Sequence, residues 1–157
     1  MTDARPAGIA DTDVFITRAF NAPRDLVWRF WTEPELVAKW FGPHTVHAPA
    51  ELIQIDMRPG GTWNVIMVDN ATGEHYPVIS EITEVVKPEY FTGIEKGDPD
   101  KGFAELMQLH VQFHDHGEKT RVTIHQGPFT AEFRDMTIDG WEESFVKMDG
   151  LFAEGAA

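Results

Sequence analysis

The C-terminal part of the chain carries a hydrophobic pattern with the period of an α-helix. Between residues 133 and 152, large apolar residues recur at steps of three and four, while most charged residues fall on the other side. Burying one such side chain contributes about 1.5–3 kcal/mol, so the stripe needs a wide apolar partner surface. We therefore predict one long helix that lies across a sheet built from the middle of the chain. The stripe consists of Ile138, Trp141, Phe145, Met148 and Phe152.

The middle of the chain alternates apolar and polar residues over short segments, which is the pattern of β-strands. Turn residues such as Pro59 and Gly60 separate these segments, so neighbouring strands should pair antiparallel. Ahead of them, Pro23 opens a short helix, and a capping box of Thr32 and Glu35 opens a second short helix. Gly and Pro at 96–102 predict a surface loop. Strands are predicted at 13–20, 48–57, 62–68, 75–86, 90–95, 104–114 and 120–126.

Composition places the chain among globular proteins, because 42% of its 157 residues are hydrophobic and these include five Trp and eleven Phe. We expect a flexible tail at 1–12 and one domain at 13–157. The absence of Cys excludes disulfides and Cys-ligated metals and fits a cytoplasmic location. A formal net charge of −13 repels phosphate, so neither nucleic acid nor an anionic membrane is an expected partner.

Short motifs rich in aromatic residues, Pro and Gly follow one another along the chain. They are Arg18-Ala19-Phe20-Asn21-Ala22-Pro23, Val27-Trp28, Trp31-Thr32-Glu33-Pro34-Glu35-Leu36, Trp40-Phe41-Gly42-Pro43, Asp56-Met57-Arg58-Pro59-Gly60-Gly61-Thr62-Trp63, Glu81-Ile82-Thr83-Glu84-Val85, Thr120-Arg121-Val122-Thr123-Ile124 and Gly140-Trp141. In this order they resemble the SRPBCC/START-like superfamily. More narrowly, they resemble its branch called activator of heat-shock protein 90 ATPase homologue-like.

The resemblance implies an α+β, helix-grip (START/Bet v-like) fold. In that fold a curved antiparallel sheet of about six or seven strands wraps a long C-terminal helix, with two short helices after the first strand. The resemblance also implies a cavity between sheet and helix, but no single activity. Some relatives bind lipids or other apolar molecules, some are related to polyketide cyclases and dehydrases or hydrolyse substrates, and one eukaryotic relative stimulates a chaperone.

Aromatic residues are numerous for a core made of one sheet and one helix, although by base rate most of them are core residues. The functional interpretation is that several line a cavity that binds a small apolar or amphipathic molecule. If Trp141 faces such a cavity, Trp141→Ala should cost about 1.5–3 kcal/mol, against about 3–5 kcal/mol for an ordinary core position. The predicted ligand-binding residues are Trp40, Phe41, Trp63, Met67, Tyr76, Glu81, Trp141 and Phe145, with Trp40 and Phe41 near the mouth.

Two other function classes stay open. An enzyme of the cyclase, dehydratase or hydrolase type would use a cavity carboxylate or His, and Glu81 is a better candidate than Asp56. Strand carboxylates more often face water, and no nucleophile–base pair accompanies these two, so the catalytic residues stay unassigned. An interaction module, either co-chaperone-like or homodimeric, would expose an apolar patch on the outer sheet face or the short helices.

Histidine residues are also candidates for functional contacts. His44 and His47 follow Gly42-Pro43 near the expected cavity rim and are candidates for ligand contact. His110 and His114 would lie about 13 Å apart in one strand, too far for one metal. We expect no metal site and no cofactor.

Overall fold

A computed structural model of the chain describes residues 10–96 and 103–155, with the backbone alone at 103–105. Most of the predicted tail at 1–12 and of the predicted loop at 96–102 lies outside the described residues. The elements are β1 (Val14–Phe20), α1 (Arg24–Thr32), α2 (Pro34–Val37), β2 (Val46–His47), a 3-10 turn (Ala50–Leu52), β3 (Ile53–Ile55), β4 (Thr62–Asp69), β5 (His75–Val86), β6 (Tyr90–Lys96), β7 (Phe103–His116), β8 (Lys119–Phe129) and α3 (Ala131–Ala153).

The strands form one antiparallel sheet in the order β1-β8-β7-β6-β5-β4-β2, with β3 also paired to β4. Neighbours in the sheet are mostly neighbours in the chain, as short turns dictate. The exceptions are β2, which pairs with β4, and β1, which pairs with β8 and places Val14 opposite Gln126. The sheet curls around α3, so the predicted helix-grip fold is confirmed, with eight described strands where about six or seven were expected.

The concave face of the sheet is apolar, because alternate residues of each strand point towards α3. Leu109, Val111 and Phe113 of β7 are buried as predicted, while His110 and Gln112 between them are only half-buried. Other buried residues of this face are Ile16 and Phe20 on β1, Val122 and Ile124 on β8, Phe91 on β6, and Trp63 and Val65 on β4.

The ring of Trp31, in the last turn of α1, is the centre of the core. Its centroid lies between 4.8 and 6.4 Å from those of six other rings, which belong to the sheet, to α3 and to the segment after α2. The indole groups of Trp40 and Trp63 donate hydrogen bonds to the carbonyl oxygens of Phe30 and Trp31, at 2.9 and 2.8 Å, and so hold the end of α1. The six rings are those of Trp40, Trp63, Phe91, Phe113, Trp141 and Phe145.

The long helix α3 has 23 residues, or about 35 Å, and buries the middle of the predicted stripe, while Ile138 and Phe152 near its ends are half-buried. Thr130 is its N-cap and accepts a hydrogen bond from the backbone N–H of Phe133. Trp141, Phe145 and Met148 are buried, and Phe145 packs edge-on against Phe20 of β1. None of the described helices is long and apolar enough to cross a membrane.

Two local predictions are wrong. Thr32 does not cap α2; its hydroxyl donates to the carbonyl oxygen of Trp28 at 3.0 Å, and Glu33 is the N-cap without a side-chain bond. The strand predicted at 48–57 is shortened to β3 (Ile53–Ile55), because Pro49 has no N–H to give to a neighbouring strand and a 3-10 turn follows it at Ala50–Leu52.

Trp141→Ala should lower the free energy of unfolding by about 3–5 kcal/mol, the cost of emptying a large buried site. The ring is 6% exposed and stacks on Trp31 and Phe145, at centroid distances of 5.6 and 5.7 Å. Urea denaturation followed by circular dichroism measures the change. The matched control is Val146→Ala, at a position 53% exposed, which should change it by less than about 0.5 kcal/mol. A loss below about 1.5 kcal/mol for Trp141→Ala would show that the ring contributes little packing.

Candidate functional site

Three buried polar residues lie on the concave face of the sheet, among the aromatic rings. Ser80 of β5 is opposite Trp63 of β4 on one side and opposite Glu95 of β6 on the other. Gln126 of β8 completes the group. Ser80, Glu95 and Gln126 are only 1%, 5% and 6% exposed. We call these three residues the interior polar group.

A chain of hydrogen bonds joins this group to α3. The indole Nε1 of Trp141 donates to Oε1 of Gln126 at 2.9 Å, and Nε2 of Gln126 donates to Oε1 of Glu95 at 2.6 Å. An indole can only donate, so the first bond determines which end of the Gln126 amide faces Glu95. The helix is thus connected through β8 to a carboxyl group on β6.

Burial is the main influence on the Glu95 carboxyl. Removing it from water raises its pKa to about 7, and the hydrogen bond from Gln126 opposes the rise. None of the ion pairs among the described residues includes Glu95. Near neutral pH this carboxyl therefore exchanges between its neutral and charged forms.

Two buried polar atoms have no hydrogen-bond partner in the described part of the chain. One is Ser80 Oγ, within the interior polar group, and the other is Trp31 Nε1. Trp31 belongs to the same cluster, because its ring stacks on Trp63 and Trp141. An unsatisfied buried donor or acceptor costs about 1–3 kcal/mol, so folded proteins contain few of them. Two in one region mark a place where hydrogen-bonding capacity is unused.

The loop after α2 is fastened to α3 beside this region. The backbone N–H of Gly42 donates to Ser144 Oγ at 2.9 Å, and Lys147 Nζ donates to the carbonyl oxygens of Gly42 and Pro43 at 2.8 and 3.2 Å. Burial lowers the pKa of Lys147, against the opposite effect of Glu143. Pro43 also lies 4.0 Å from where a Cβ would stand at Gly140, which is an ordinary van der Waals distance, so the loop packs on α3 at this glycine.

Most of the predicted ligand-binding residues come together on the concave side. Their rings touch one another directly, with centroids 5.3 to 6.4 Å apart, so at this place they form a packed aromatic core. Met67 is half-buried, and Tyr76 opposite it is 40% exposed, with its hydroxyl bonded to Glu74. The role of all these residues in ligand binding stays a prediction. The packed residues are Trp40, Phe41, Trp63, Trp141 and Phe145; Trp40 and Phe41 are buried there.

Glu81 is the exception, and its predicted place in the cavity is wrong. It is exposed, on the convex face of β5, opposite Ile94 of β6. A β-bulge between Ile82 and Glu84 shifts the register, so Val85 is opposite buried Phe91 while Glu81 points the other way. The other enzyme candidate, Asp56, is also exposed and is paired with Arg58. Neither carboxylate can serve chemistry on the concave side.

The interior polar group was not among the predicted site residues, although the sequence contains a signal for it. Alternation from Phe91 and Gly93 brings Glu95 to the inner face of β6, and alternation from Val122 and Ile124 does the same for Gln126. A Glu and a Gln at inward positions of two apolar strands were thus detectable. Their contact was not, because it depends on the register of β6, β7 and β8.

The histidines lie away from this group. His44 and His47 are exposed; the backbone N–H of His44 bonds to Glu143, and His47 bonds to Asn70. Among the described residues, no three His, Asp or Glu side chains come together as metal ligands.

A pocket of about 320 Å³ lies where β7 and β8 change register. His125 Nε2 is 2.8 Å from Asp13 Oδ2 there, and the Asp13 carbonyl oxygen accepts a bond from Arg134 Nε of α3. These bonds tie β1, β8 and α3 together, which is a structural role. The lining residues are Asp13, Ile94, Leu106, Met107, Gln108, His125, Gly127 and Pro128.

The curled sheet closed by one long helix defines a helix-grip protein. The family model described as Activator of Hsp90 ATPase homolog 1-like protein matches residues 21–153, and the chain belongs to this family. No curated protein matches the sequence.

Solved structures of bacterial proteins share the fold. A Nitrosomonas europaea protein is 24% identical with a TM-score of 0.75, over 93% of this chain and 97% of that one. A Chromobacterium violaceum protein is 20% identical with a TM-score of 0.79, over 90% and 97% of the two chains. A Silicibacter pomeroyi AHSA1 protein is 23% identical with a TM-score of 0.73, over 91% and 99%. At these identities the likeness is one of fold.

The free energy of unfolding should fall as the pH rises from about 4.5 to about 7, because folded Glu95 keeps its proton in this window while the unfolded chain loses it. A pKa rise of this size corresponds to a loss of about 3 kcal/mol in the free energy of unfolding. Urea denaturation of the wild type and of Glu95→Gln, at about pH 5 and about pH 8, measures this loss, since the variant lacks the titrating group. An equal pH dependence in both proteins would show that Glu95 titrates normally.

Proposed function

We propose that this protein binds a small amphipathic molecule between the sheet and α3, with its polar end at Ser80 and Glu95. The observation that carries the proposal is the unused hydrogen-bonding capacity of the interior polar group. Ligand sites are mostly apolar with a few convergent polar groups, which describes this region. The superfamily that the sequence resembles includes proteins that bind apolar molecules. We further propose a cytoplasmic location, which the absence of Cys supports.

The Ser80 hydroxyl is the strongest part of this argument, because it makes no hydrogen bond within the described part of the chain. Removing a buried hydroxyl that bonds to nothing should leave stability unchanged or improve it. A residue that weakens the fold is typical of a binding site, where function and stability compete.

The aromatic packing requires that a ligand separate α3 from the sheet. Trp141 would have to move, since its ring stacks on Trp31 and its indole bonds to Gln126. The loop at Gly42 is bonded to Ser144 and Lys147 of the same helix, so loop and helix would move together. A site that opens in this way is a minor conformation that a ligand makes dominant.

Ser80→Ala should weaken binding of a neutral amphipathic probe, 2-phenylethanol, about fivefold, because one hydrogen bond to its hydroxyl is lost. The same variant should be as stable as the wild type or more stable. Titration calorimetry measures the affinity and urea denaturation the stability. Thr83→Ala is the matched control, because Thr83 is exposed on the same strand and bonds to Thr92. If the probe does not bind the wild type, the proposal fails; equal affinities for wild type and Ser80→Ala would remove Ser80 from the site.

A second candidate function is self-association through the convex face. Ile79, Ile94 and Leu106, on the neighbouring strands β5, β6 and β7, are 43%, 37% and 56% exposed. Exposed apolar residues that form a patch indicate an interaction surface. We infer that a second copy of the chain is the partner, because a homodimer can pair one such patch with itself.

Leu106→Ser should shift a dimer towards monomer, because it places a polar group in the apolar patch. Light scattering across a range of protein concentrations measures the average mass. Met136→Ser, at a position on α3 that is 59% exposed, is the control and should leave the mass unchanged. A monomeric wild type at every concentration would exclude this candidate.

A further inference from the structure

We infer that the molecule held between the sheet and α3 carries an ammonium group, which binds the Glu95 carboxylate and the Ser80 hydroxyl among the indole rings. This inference rests on the proposed function and adds the chemical class of the ligand. It follows from three properties of the interior polar group, which concern its acceptors, its missing cation and its aromatic surroundings.

The acceptors outnumber the donors that face them. A carboxylate offers about four lone-pair sites, whereas Glu95 receives one bond from the described side chains, that from Gln126. The Ser80 hydroxyl is opposite Glu95 in the register of β5 and β6 and accepts no bond from them. Cross-strand partners have Cβ atoms about 4.5–5.5 Å apart, so one group with several N–H donors can reach both. An ammonium group has such donors.

The chain itself supplies no cation here in the part that the structure describes. The side chains opposite Glu95 in the sheet, Ser80 of β5 and Met107 of β7, are uncharged, and so is Gln126, which bonds to it. A buried charge is normally paired, because an isolated one is expensive to remove from water. A ligand that brings its own positive charge would complete the pair.

The surroundings favour a cation over an anion. Trp63 is opposite Ser80 on the same face, and Trp141 is one hydrogen bond from Gln126. Indole faces attract ammonium groups, and a carboxylate beside aromatic rings is a common way to bind them. The net charge of −13 also raises the local concentration of cations and repels acids.

Two probes of nearly equal shape test the inference on the full chain: 2-phenylethylamine, which is an ammonium ion near pH 8, and 2-phenylethanol, which is neutral. Titration calorimetry should give an affinity at least about tenfold higher for the amine, the size of one favourable charged contact. If the alcohol binds and the amine binds no better, the ammonium inference is overturned while the proposed function survives. If neither binds, both fail.

Glu95→Gln keeps the shape and the bond from Gln126 but removes the charge. It should lower the affinity for the amine about tenfold or more and change that for the alcohol less than about threefold. Glu81→Gln, the same substitution at the exposed glutamate of β5, should change neither. Equal amine affinities for Glu95→Gln and wild type would overturn the inference.

Proton release gives a readout on the wild type alone, independent of any variant. Because burial raises the pKa of Glu95 to about 7, some of the carboxyls carry a proton near neutral pH, and binding the ammonium group sends that proton to the buffer. Calorimetry near pH 7 in two buffers of different ionisation enthalpy should show proton release on binding the amine and almost none on binding the alcohol. Equal release for both probes would contradict a charged contact.

Discussion

The contact of Trp31 with the rings around it is the interaction on which the rest of this fold depends. One indole from α1 meets rings of the sheet, of α3 and of the segment after α2. Aromatic pairs at these distances add about 0.5–1.5 kcal/mol beyond the area that they bury, so one side chain joins the sheet, α3 and the segment after α2. The C-terminal helix has the clearest sequence pattern, but it is held in place by a residue more than a hundred positions away.

Beside this apolar contact, the interior polar group is a place where burial has a cost. A core built for stability alone would carry apolar residues at Ser80, Glu95 and Gln126, because hydrocarbon packs there without desolvation. The hydrogen bonds from Trp141 to Gln126 and on to Glu95 offset part of this cost and also fix the rotation of α3 against the sheet. The rest of the cost of burial falls on the Ser80 hydroxyl and the Glu95 carboxyl. Stability does not explain why these two groups are buried, whereas a bound ligand would explain it.

The regular parts of the fold could be predicted because their patterns repeat. The stripe of Trp141, Phe145 and Met148 persists over several helical turns, and the alternation in β7 persists over several residue pairs. A single residue that departs from such a pattern therefore does not change the predicted element. The misplacement of Glu81 has a different origin. One bulge exchanges the two faces of a strand, and no residue of β5 indicates from its type where the bulge lies. Alternation was sufficient to predict that Glu95 and Gln126 face inward, but not that they meet, since their contact spans β7 and depends on the register of three strands.

The bonds between the loop at Gly42 and α3 would have to break before this part of the helix could leave the sheet. Ser144 Oγ accepts a hydrogen bond from the backbone N–H of Gly42, and Lys147 Nζ donates one to the carbonyl oxygen of Gly42. Both backbone polar groups of this loop residue are therefore bonded to the helix. That amide hydrogen can exchange with solvent only when Ser144 has moved away. Its exchange rate therefore reports the free energy of lifting this part of the helix, separately from global unfolding. Ligand entry and exit through this opening would be governed by the same slow step, so residence time would be set by the helix as much as by the affinity of the site.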